Sequence, residues 1–244
     1  MADHYRVARA GLNVELLFPF GIPRIPQPGS RMYQNLAEAL SGYWVDSSQV
    51  LYRPPRPRLS DAYLELMLPE EGVLIQFSYD ELRITVNQTI GSHPEDIGAI
   101  LESLCDVTSR EMPNQELGGP VFIRYWAHAS ILAGATSKLL DRFGSTEWAP
   151  GLQLLKATFG LQHSEAARPD FSIEVGSSEE APNGFFLDYN AVIDKKSSSS
   201  LVSVVSEAFK ARGDLLEKLN LHPDGNEEFA SWFTTGSVKD GQKL

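Results

Sequence analysis

The chain carries a single cysteine, Cys105, so no intramolecular disulfide can brace it. It also lacks any run near the roughly 18 apolar residues of a membrane-spanning helix. Its longest early apolar stretch, Leu16–Phe20, is far short of a signal-peptide core. One cysteine and no leader together point to the cytoplasm. Basic residues are in deficit: 21 Lys and Arg face 32 Asp and Glu, a formal net charge of −11. Such a surface repels phosphate, which argues against nucleic acid as a partner.

Recognisable catalytic signatures are missing as well. Gly134-Ala-Thr-Ser-Lys138 lacks the second glycine and the closing Lys-Ser/Thr of a phosphate-binding loop. The five histidines, His4, His93, His128, His163 and His222, are scattered and form no zinc-binding pair. His163-Ser-Glu165 matches half of a zinc-deaminase signature, but the other half needs two cysteines. The expectation is a protein without catalytic residues, bound metal or cofactor, and without a membrane partner.

What is present is ordinary globular composition, 42% hydrophobic and 22% charged. Alternating apolar residues predict strands at Val14–Phe18, Ala62–Leu68, Val73–Tyr79 and Leu82–Gln88, then at Val121–Ile131, Leu152–His163, Phe171–Val175 and Phe185–Asp194. Helical spacing predicts a helix capped by Ser30 that buries Tyr33, Leu36, Ala37 and Leu40. A second helix follows Ser92-His-Pro-Glu95 and buries Ile97, Ile100, Leu101, Leu104 and Cys105. A short helix is expected at Ala135–Phe143. A long one after the serine run Ser197–Ser200 buries Leu201, Val204, Val205, Ala208, Phe209, Leu215, Leu216 and Leu219.

Each half thus reads strand, helix, three strands, helix. The expected fold is α+β, with two pseudo-repeats whose antiparallel sheets have helices on one face. The repeats are placed at residues 1–118 and 119–222, jointed at Gly118-Gly-Pro120. Residues 223–244 are expected to form a short helix carrying Phe229, Trp232 and Phe233, then a flexible tail.

One strand face stands out. Arg124, Trp126, His128 and Ser130 alternate with apolar residues, and Asp188, Asn190 and Asp194 do so on the last long strand. An indole between a guanidinium and an imidazole suits stacking on a ligand or on a partner's side chain. Arg124, Trp126, His128, Asp188 and Asn190 are therefore the candidate binding residues. Two further features are weighed: the rigid Arg53-Pro-Pro-Arg-Pro-Arg58 segment as a docking element, and Cys105 as a buried apolar residue rather than a thiolate.

Leu12-Asn-Val-Glu-Leu-Leu-Phe18 resembles the opening strand of a sporadically distributed bacterial family of uncharacterised proteins. Phe185-Phe-Leu-Asp-Tyr-Asn190, with its serine-rich link and long helix ending in Leu-Asn-Leu221, resembles the same family. The proline-rich Ile22–Pro28 departs from that pattern. The family has no established activity, so the resemblance implies no catalytic residues.

The leading expectation is a non-catalytic cytoplasmic protein that binds a protein or small ligand, in the manner of bacterial defence or immunity proteins. The main rival is an enzyme using His128 as acid/base beside Asp188. A second rival is a structural subunit of a larger assembly.

Overall fold

The computed structural model describes residues 3–41, 50–55, 58–68, 73–86, 94–113, 119–132, 156–161, 171–181, 184–194 and 200–223. The chain is a mixed α+β fold, mostly antiparallel sheet. Strand β1 (Asp3–Leu17) leads to helix α1 (Arg31–Ala39), then β2 (Val50–Arg53), β3 (Tyr63–Leu68), β4 (Val73–Ser78), β5 (Glu81–Val86) and helix α2 (Pro94–Glu111). Next come β6 (Pro120–Ile131), β7 (Lys156–Leu161), β8 (Phe171–Ser177), β9 (Gly184–Asp194), helix α3 (Leu201–Lys218) and β10 (Leu221–Pro223).

The strands form one sheet in the order β2-β3-β4-β5-β1-β6-β9-β8-β7, with β10 parallel to the start of β1. The segments 1–118 and 119–222 do not build separate sheets. They join where β1 lies antiparallel to β6, from Tyr5 opposite Ile131 to Leu16 opposite Val121. The first strand is three times longer than its alternation predicts, beginning at Asp3 rather than Val14. A bulge between Val7 and Arg9 explains the gap. It shifts the inward set from Tyr5 and Val7 to Ala10, Leu12, Val14 and Leu16, so no single period-2 pattern spans the strand.

Strands β2 and β10 are also additions. Each is too short, at 4 and 3 residues, to show a period. Pro223 sits in β10, so the predicted boundary before it falls within a strand. The predicted helix at 135–143, the hairpin turn at 69–72 and the aromatic segment at 229–233 lie outside the described residues.

The helices start where local chemistry lets them. Ser30 caps α1 by accepting a bond from Tyr33 N (3.2 Å), and Ser200 caps α3 by accepting one from Ser203 N (3.1 Å). Helices α2 and α3 cross at Gly98, where a Cβ would lie 2.7 Å from Val202 Cα. Only glycine lets the backbones approach that closely. Apolar residues of the three described helices join one core with the inward sheet residues, among them Leu36, Leu101, Phe209, Tyr125 and Tyr189.

That core holds one charge the apolar pattern does not announce. Arg212, on the inner stripe of α3, is fully buried, with its guanidinium 4.0 Å from the centroid of the Tyr125 ring. Beside it Tyr189 Oη donates to Ala208 O (2.6 Å), and burial raises the Tyr189 pKa far above its usual range. A desolvated cation over an aromatic face contributes about 2 kcal/mol. Arg212→Ala should therefore lower the unfolding free energy by about 2 kcal/mol or more in urea titration. A loss under about 0.5 kcal/mol would show that the stacked cation is dispensable. Cys105 is buried in α2, as expected. Cys105→Ser should cost about 1–3 kcal/mol by placing a hydroxyl in an apolar site. The native thiol should resist Ellman's reagent until the protein unfolds.

Candidate functional site

Because the helices take one face of the sheet, strand pleating sends the alternate residues to the other. On β6 these are Arg124, Trp126, His128 and Ser130; on β9 they are Phe186, Asp188, Asn190 and Val192. Register brings the two strands together: Arg124 stands opposite Asn190, Trp126 opposite Asp188, and His128 opposite Phe186. On the other side of β6, β1 contributes Asn13, Gly11 and Arg9 opposite Arg124, Trp126 and His128. All five predicted binding residues thus lie on one continuous face, away from the helices.

Arg124 and Asp188 form a fork. Arg124 Nε donates to Asp188 Oδ1 (2.9 Å) and Nη2 to Oδ2 (2.8 Å). This bidentate bond with Asp188 raises the Arg124 pKa still further, so the guanidinium stays charged. Asn190 Nδ2 lies 3.4 Å from Asp188 Oδ1 at the rim of the pair.

The indole of Trp126 is half-buried on β6. It lies across Gly11 of β1, where a Cβ would come within 2.6 Å of ring atoms Cε2 and Cζ2. The missing side chain is what gives the ring its bed, and the ring in turn covers a bare stretch of strand. The Arg9 guanidinium sits 5.4 Å from the indole centroid. The same guanidinium reaches both carboxylate oxygens of Glu180, at 3.3 and 3.2 Å. His128 meets the indole edge-on at 5.8 Å.

The surroundings of His128 are specific. Ser178 Oγ accepts bonds from Glu180 N (3.2 Å) and Ala181 N (2.9 Å) and lies 2.9 Å from His128 Nδ1. With its two lone pairs so occupied, the hydroxyl directs its hydrogen to Nδ1. His128 Nε2 lies 3.6 Å from Glu180 Oε1. Among the described residues, His128 therefore works with Ser178 and Glu180, whereas Asp188 works with Arg124 and Asn190. The acid/base pairing of His128 with Asp188 is not assembled, because strand register sets Asp188 beside Trp126 instead.

Arg9, Gly11, Ser178 and Glu180 are the site residues that sequence reasoning missed. Arg9 and Glu180 are 171 positions apart, and no local pattern links them. Gly11 lies before the predicted strand Val14–Phe18, so it gave no strand-based signal of a close approach. Elsewhere on this face, charges are also paired: Arg83 with Glu15 (3.0 Å) and Glu81 (3.0 Å), and Lys156 with Glu174 (3.0 Å). Among the described residues, no three His, Cys, Asp or Glu side chains gather as a metal site, and no helix is long and apolar enough to cross a membrane.

No family model, curated protein or solved structure matches the chain.

The packing of Trp126 on Gly11 yields a direct test. Gly11→Val would push the indole off its bed and should destabilise the protein by about 1–3 kcal/mol. In a Trp126→Ala background the same change should cost far less, giving a coupling energy of about 1 kcal/mol or more in a double-mutant cycle. Equal costs in both backgrounds would mean that the ring does not rest there.

Proposed function

We propose that the chain is a non-catalytic binding protein, acting in the cytoplasm in the manner of bacterial defence or immunity proteins. Its open sheet face would meet a protein partner. The observation that carries this reading is the partly exposed indole of Trp126, resting on Gly11 at the join of β1 and β6 and flanked by Arg9, Arg124, His128 and Asp188. A rigid aromatic anchor with charged neighbours has the composition of a binding hot spot. The net charge of −11 favours a basic partner, because complementary fields steer encounter. The paired state of His128 and Asp188 with other groups weighs toward binding rather than acid/base chemistry.

We further propose that the two halves descend from one duplicated unit. Supporting this, β5 flanks β1 and leads into α2, as β9 flanks β6 and leads into α3.

The test compares cross-linking of partners in cells by the wild-type chain and by Trp126→Ala. A specific adduct, competed by unlabelled wild-type chain, should be lost in the variant. The affinity for the isolated partner should fall by roughly 2 kcal/mol or more, while the thermal midpoint of the variant stays within a few degrees of wild type. Unchanged affinity would move the partner off this face.

A further inference from the structure

Arg9 is held differently from Arg83, Arg124 and Lys156 on the open face. Arg83, Arg124 and Lys156 pair with carboxylates of their own or a neighbouring strand. Arg9 instead places one guanidinium both over an indole, 5.4 Å from its centroid, and against the Glu180 carboxylate at 3.2 Å. The seat and its occupant differ in how firmly they are fixed. The indole is bedded on Gly11, and His128 abuts its edge. The Glu180 backbone is tied by its N–H to Ser178 Oγ, which is itself held by His128. The occupant, by contrast, is a long side chain that remains 61% exposed, and its pairing partner is 46% exposed. An exposed ion pair of this kind is weak and readily exchanged.

We infer that Trp126 and Glu180 form a seat for an arginine side chain of the partner, with Arg9 as the chain's own stand-in. This rests on the reading of the open face as a binding surface. A planar guanidinium suits the seat because it can stack on the indole while one nitrogen reaches the carboxylate, as Arg9 Nη1 does, whereas an ammonium has no plane to stack. The surplus of 11 negative charges on the chain draws such a cationic partner in. Binding is then an exchange in which the partner's arginine displaces Arg9, so the intramolecular contact sets a threshold that weak cationic ligands fail to cross.

The experiment uses the full chain and a blocked Ala-Arg-Ala tripeptide, with lysine and citrulline counterparts. Binding is read by nuclear magnetic resonance from the Trp126 indole N–H, assigned with Trp126→Phe. Removing the stand-in with Arg9→Ala should tighten binding of the arginine peptide several-fold over wild type. Adding Glu180→Gln should erase that gain. The lysine peptide should bind several-fold more weakly, and the neutral citrulline peptide should leave the indole signal unmoved. Arg9→Gln serves as a second variant, and the amide spectrum verifies that each variant stays folded. The inference is overturned if Arg9→Ala and Arg9→Gln bind no tighter than wild type, or if citrulline binds as well as arginine. If the arginine response is absent while Trp126→Ala still abolishes partner cross-linking, the seat is rejected and the binding face stands. If the arginine response is absent and Trp126→Ala leaves partner cross-linking intact, both the seat and the binding face are rejected.

Discussion

The ladder between β1 and β6 is the constraint on which the rest of the molecule depends. It joins strands contributed by the two halves of the chain and runs from Tyr5 to Leu16 on one side. Because strand side chains alternate with a period of two, this register fixes more than topology. It sets Leu12, Val14, Ile123 and Tyr125 inward, and Gly11, Asn13, Arg124 and Trp126 outward. A slip of one residue would drive an arginine and an indole into the core and turn leucines to solvent, a change no hydrogen-bond pattern could offset. The same ladder brings Gly11 opposite Trp126. Fold and candidate site therefore share one origin.

Much of the fold was legible because its signals are local. Alternation located β3 to β6, β8 and β9 to within a residue or two at most ends, Ser30 marked one helix start through capping chemistry that acts over three residues, and the serine run 197–200 preceded another. The remainder was hidden for physical reasons. The bulge in β1 breaks its period at the point where it changes face. Strands β2 and β10 are held by their neighbours rather than by their own pattern. Arg212 gives no sign of burial in the sequence, because a charge beside an apolar stripe normally turns to water, yet Tyr125 offers it a ring. The five predicted binding residues of β6 and β9 were found by parity alone. Arg9 and Glu180, which complete the cluster, depend on strand order and a turn that no periodicity encodes.

The electrostatics of the open face bear on specificity more than on stability. Surface ion pairs contribute little to folding, typically about 0–1 kcal/mol. The pairs Arg124–Asp188, Lys156–Glu174 and Arg83–Glu15 nonetheless leave a face patterned with fixed charges of both signs. A partner with the wrong pattern meets like charges at short range, which is costly, whereas a matching partner can exchange one pair for another. The bidentate Arg124–Asp188 fork has the most rigid geometry of these pairs and so acts as a landmark beside the indole rather than as an exchangeable contact.

Two arginines over aromatic rings bring out what burial does to one kind of interaction. Arg212 lies 4.0 Å from the centroid of Tyr125 and has no exposure to solvent, while Arg9 lies 5.4 Å from that of Trp126 and is mostly exposed. In the core, water cannot replace the ring, so losing the contact leaves a charge and an aromatic face without solvent, and the interaction holds α3 to β6. At the surface, water or another cation can take either partner at small cost, so the same contact fixes little structure. What it does set is a local preference for a planar cation at one point of the sheet. The chemistry is shared; the dielectric around it separates a structural element from a candidate recognition element.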